Sequence, residues 1–60
     1  MIPDFIFTGD VKINLVDGTW LEADEVEVFD RHIICIDHIP VKYKCLNWIH
    51  VKSIEAKERR

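Results

Sequence analysis

Val11-Lys12-Ile13-Asn14-Leu15-Val16-Asp17-Gly18 sets the reading of the whole chain. Val11, Ile13 and Leu15 alternate with Lys12 and Asn14. That period of two is what a strand needs when one face meets a core and the other meets water. Asp17-Gly18 then ends the run. A type I′ turn requires positive φ at both central residues, so this dipeptide predicts a tight hairpin. The return strand is expected over residues 19–29, with Leu21 and Ala23 on one phase and Val26 and Val28 on the other. That slip predicts an extra residue near Asp24-Glu25, a β-bulge that bends the strand sharply.

Beyond this hairpin the pattern stays short-period. Asp30-Arg31 makes the next turn, and His32 to Asp37 is a compact β-branched run too short for a helix. His38-Ile39-Pro40 is a connection, because proline cannot donate into a central ladder. Val41, Tyr43 and Cys45 then alternate with Lys42 and Lys44, which puts the two lysines on the outward phase of a fourth strand. Asn47-Trp48 turns the chain again. Residues 49–54 make a short fifth strand, whose three-residue step from Val51 to Ile54 predicts a closing 3₁₀ turn. Residues 1–9 are expected as an N-terminal extension and residues 56–60 as a fraying polar tail.

Five short strands in 60 residues are too few for two packed sheets. The expected fold is therefore a single all-β domain, a five-stranded and strongly bent SH3-like barrel with little or no helix. The barrel is expected to be closed, because closure removes the unpaired edges that an open five-stranded sheet would leave exposed. A chain of this length buries only ~60% of its unfolded surface, so extra stability is expected from association with other chains.

The residues are 48% hydrophobic and 32% charged, with a formal net charge of −3. Bulk positive charge, which supplies most non-specific affinity for nucleic acid, is lacking. The signs are separated along the chain: Glu22, Asp24, Glu25 and Glu27 lie in the middle, and Lys42, Lys44 and Lys52 lie in the last third. No apolar run approaches the ~18 residues a membrane span requires. The first residues lack the basic and apolar regions of an export signal, so the expected location is the cytoplasm, with Cys35 and Cys45 as thiols.

With the strands placed, the segment from Val11 to Asp37 resembles the first motif of the Sm, LSm and Hfq family. In that family an alternating strand runs into Asp-Gly or Asn-Gly, and a bent strand ends in Phe-Asp or Tyr-Asp before an apolar strand. Val11 to Gly18 matches the opening, and Phe29-Asp30-Arg31-His32-Ile33-Ile34-Cys35-Ile36 matches the close. Val51-Lys52-Ser53-Ile54 is similar to the last family strand. The chain differs at Ile34, where Sm proteins carry a uracil-reading Asn, and at Trp48-Ile49, where bacterial members carry Lys-His. The resemblance implies an Sm-like barrel, rings in which the fourth strand of one subunit pairs with the fifth of the next, and binding of single-stranded RNA.

Two sets of candidate binding residues follow. In the family, the turn at Asp30-Arg31-His32 and the turn at Asn47-Trp48 line a base pocket. His32 and Trp48 offer flat faces, Asn47 offers a donor and an acceptor, and Arg31 with Lys42 and Lys44 offers charge toward phosphate. The structural alternative is that Trp48 plugs the barrel end and the lysines keep an edge strand soluble. The second set is Asp24, Glu25 and Glu27, an acidic strand face suited to a basic protein partner or simply to solvent.

Cys35, Cys45, His32, His38 and His50 hold enough ligand atoms for one zinc ion, but the spacings lack a Cys-x-x-Cys pair and fall mainly within strands. The natural account of the two cysteines is as small buried apolar residues. No catalytic residue, metal or cofactor is expected. The expected function is a small non-enzymatic binding or regulatory module. Its first form is an Sm-like homo-oligomer binding single-stranded RNA; the alternative is a protein-interaction or inhibitory module without nucleic acid.

Overall fold

A computed structural model describes residues 2–59. The strands are β1 (Phe5–Leu15), β2 (Trp20–Val28), β3 (His32–His38), β4 (Val41–Asn47), β5 (Val51–Glu55) and a two-residue β6 (Glu58–Arg59). All the pairings are antiparallel, in the order β4-β3-β2-β1-β5, with β6 also on β1. Among the described residues only Trp48–His50, between β4 and β5, is a 3₁₀ turn. A flat sheet is one layer of backbone, with a second layer packing ~10 Å away. Here the Cα extents are 26 × 23 × 20 Å, so one sheet curls around its own core. The all-β, barrel-like architecture is the one the strand pattern predicts, but the expected closure is not seen: among the described residues no pairing joins β4 to β5, so both edges of the sheet stay open.

The bend has a defined origin. Ala23 and Val26 both reach the core from β2, three residues apart, as the phase slip requires. The extra residue, however, lies on the partner strand. Between the rungs Thr8↔Glu25 and Val11↔Ala23, β1 carries Gly9 and Asp10 against the single Asp24. Both bulge residues have left-handed φ, 78° and 60°. Asp24 turns its carboxylate to the strand beyond, where Oδ2 accepts from the His38 backbone N–H at 2.7 Å.

Val11, Ile13, Val26 and Ile33 are fully enclosed, with Ala23, Val28 and Cys35 completing the buried cluster. Phe7, Leu15, Leu21, Leu46, Trp48, Val51 and Ile54 pack around it. Four local expectations change. The first strand begins at Phe5, so residues 5–9 belong to the sheet and are not an extension. The tail pairs as well: Phe7 lies opposite Arg59 and Thr8 opposite Glu58. The 3₁₀ turn precedes β5, and the Val51-to-Ile54 step is a bulge, because Asn14 pairs with Ser53 but Leu15 with Val51. The first hairpin is not a two-residue type I′ turn. Gly18 N–H donates to Leu15 C=O and Leu15 N–H to Thr19 C=O, and of the two turn residues only Gly18 has positive φ. That is a three-residue loop ending in a left-handed glycine.

Candidate functional site

The turns at 30–32 and 47–50 meet. His32 lies directly opposite Asn47 in the β3–β4 ladder, and Trp48 N–H donates to Arg31 C=O at 3.3 Å. The planar groups are already engaged. His32 stacks on Phe29 at 4.8 Å between centroids and 13° between planes. The Trp48 indole N–H donates to Phe29 C=O at 2.9 Å, and its ring packs on the core. Asn47 Oδ1 accepts from the Ile49 N–H, capping the 3₁₀ turn. Trp48 is thus half-buried against the core, tied to the backbone of Phe29 and Arg31. Beside it, Phe29, Arg31 and His32 border a hollow of about 310 Å³. Asp4 and Asp30 border it too. Two carboxylates against one guanidinium give this hollow no net attraction for phosphate.

Lys42 and Lys44 lie elsewhere, and on the opposite phase from the one expected. Directly paired residues share a sheet face. Lys44 pairs with buried Cys35 and Lys42 with Asp37, so both lysines stand on the side of the sheet that carries the core. Val41, Tyr43 and Cys45 pair with His38, Ile36 and Ile34 on the outer side. Along β4 only Leu46 is part-buried; every other residue is exposed, with Val41 at 62% and Tyr43 at 71%. The strand outruns the core it was expected to cover. A second hollow of about 320 Å³ is bordered by Leu21 and Glu22 of β2, Cys35 and Asp37 of β3, and Lys42, Tyr43 and Lys44 of β4.

The acidic set is less available than its sequence suggests. Asp24 holds the end of β3, and Glu25 Oε1 lies 3.9 Å from His38 Nε2, with 27% of its side chain exposed. Glu27 is half-buried opposite Ile34. Cys35 is buried, whereas Cys45 is exposed, contrary to the expectation of two buried thiols; both are free. Burial pushes the Cys35 thiol up, with Lys44 opposing the effect. Among the described residues no three His, Cys, Asp or Glu side chains gather as a metal ion requires, and no helix is long and apolar enough to cross a membrane.

One exposed feature was missed by the sequence reading. Trp20 is 56% exposed, with Lys12 Nζ 4.9 Å from its ring centroid. Opposite Trp20, Asn14 Nδ2 donates to Ser53 Oγ at 3.0 Å and to Glu55 Oε2 at 2.8 Å. The signal was present, since Trp20 shares the polar phase of β2 with Glu22. No family model, curated protein or solved structure matches the chain.

Proposed function

We propose that the chain is a small non-enzymatic binding module whose working element is the open sheet edge at β4. The observation that carries this reading is the exposure of that strand. β4 is paired along its length with β3, yet six of its seven residues are exposed, Val41 and Tyr43 among them. An edge strand offers unpaired N–H and C=O groups, and added strands bind such edges through main-chain hydrogen bonds and alternate side chains. A reducing, cytoplasmic setting fits the two free thiols. The test is to pan a random peptide library against the immobilised chain and map recovered peptides by amide chemical shifts. Shifts centred on Val41 to Asn47 support the reading. Shifts centred on the Arg31–His32 hollow, or recovery of no peptide, overturn it.

A second reading is an Sm-like homo-oligomer that binds single-stranded RNA. It is favoured by the open strands at both ends of the sheet path, β4 and β5, which a head-to-tail ring would join. The meeting of Arg31, His32, Asn47 and Trp48 at one barrel end also favours it. Light scattering across concentration and oligonucleotide anisotropy at low salt test it. A monomer that binds no oligonucleotide removes it.

A further inference from the structure

We infer that the β4 edge selects an extended strand carrying acidic side chains at alternate positions, and that it disfavours a second copy of itself. The inference rests on the reading of β4 as the working edge, and it names the partner's chemistry. A strand laid along β4 continues the sheet, so its side chains fall alternately on the two faces. Opposite Val41, Tyr43 and Cys45 they meet an exposed, mainly apolar stripe, backed by Ile36, which is only 9% exposed. Opposite Lys42 and Lys44 they meet two ammonium groups on the inner face.

The surroundings of the two lysines differ. Lys42 has Asp37 directly opposite it on β3, so its charge already has a neighbour of opposite sign. Lys44 has Cys35 opposite, a buried thiol that burial keeps in its neutral form. Glu22 borders the same hollow. Lys44 is therefore the stronger selector, and an acidic residue set against it supplies the charge that β3 does not.

The same two lysines oppose self-pairing. An antiparallel β4–β4 contact about a two-fold axis keeps inner faces together. In the full-length register the axis passes Lys44, which then faces Lys44 of the second copy. With the axis at Tyr43, Lys42 faces Lys44 of the second copy twice. With the axis at Cys45 the ladder shortens and Lys44 is set against Leu46. Like charges directly opposite one another destabilise a ladder, and opposite charges stabilise it.

The test uses the full chain, isotope-labelled, with three capped peptides that alternate valine with glutamate, with serine or with lysine. Amide shifts locate binding and titration gives affinity. The glutamate peptide is expected to shift Val41 to Asn47 and to bind at least about ten-fold more tightly than the lysine peptide, since two positions each change sign. The preference should shrink with added salt. Lys44→Glu should invert it, and Lys42→Glu should weaken it less. Equal affinities for all three peptides at β4 would overturn the charge selection and leave the edge reading standing. No shift at β4 with any peptide would overturn both. Concentration-dependent dimerisation with protection of β4 would overturn the exclusion of a second copy.

Discussion

Replacing Gly9 by alanine tests the device that bends the sheet. Gly9 sits in the bulge at φ +78°, where a side chain on an L residue costs about 1–2 kcal/mol. The new Cβ would also lie 3.1 Å from Lys57 Cβ, inside the ~3.5–4.0 Å of a relaxed carbon contact. Lys57 Cβ is fixed to backbone that leads directly into β6, so relief requires the tail to move, adding up to about 1 kcal/mol. Against this, alanine narrows the unfolded ensemble by about 0.4–1 kcal/mol. The net expectation is a loss of about 1–2 kcal/mol, or roughly 5–15 °C in melting temperature for a domain this small. Gly18→Ala is the internal control. Its φ is +90° but nothing lies within 4 Å of the added Cβ, so it carries the backbone penalty alone. Urea unfolding followed by circular dichroism, with the slope held constant, reads both variants. In a Lys57→Gly background the difference between them should close, leaving only the shared φ cost. A Gly9→Ala chain as stable as the parent, or no less stable than Gly18→Ala, would refute the reasoning.

Three further outcomes are expected. The Asp17 carboxylate is held below its ordinary 3.8 by the Thr19 hydroxyl and then by the Thr19 backbone N–H. A lowered carboxylate contributes stability above its ordinary pKa and loses it as pH falls through the lowered folded value. Urea midpoints below about pH 4 should therefore fall more steeply for the parent than for Asp17→Asn. A thiol reagent should label Cys45 in the native protein, while Cys35 reacts only on unfolding; fast labelling of both would contradict the buried position of Cys35. Trp48→Phe should cost about 0.5–1.5 kcal/mol by deleting the indole bond to Phe29 C=O, and an unchanged urea midpoint would show that bond to be dispensable.

Much of the fold could be read from alternation alone. Val11 to Leu15, the Asp17-Gly18 turn and the β-branched run from His32 are local signals, and each lies in an element of the kind expected. The three-residue step from Ala23 to Val26 announced a bend, but a phase slip is a property of a strand pair. Nothing within β2 tells which partner holds the extra residue, and it fell to Gly9-Asp10. Those two residues also interrupt β1, which hid the strand character of Phe5 to Thr8. At the candidate site the difficulty was of another kind. Alternation shows which residues of β4 share a face, and the expectation that apolar residues point inward supplied the rest. That rule fails where a strand extends past the core, since no interior is left for Tyr43 to enter. The turns at Arg31-His32 and Asn47-Trp48 do converge, but the hydrogen bonds that occupy their polar atoms depend on backbone groups no residue pattern reveals.

The anchoring of β4 at one end has a consequence for how this protein opens. Leu46 and Trp48 tie the hairpin of β3 and β4 to the core near Ile33, whereas Ile39 and Val41 at its tip are 94% and 62% exposed. Apart from the exposed bond from His38 N–H to Asp24, few contacts resist separation there, so the free energy of local opening should fall from base to tip. Amide hydrogens near Ile33 should exchange only through global unfolding, and those near Val41 through brief fraying of the hairpin. A strand docking on β4 would then register as slowed exchange graded toward the tip.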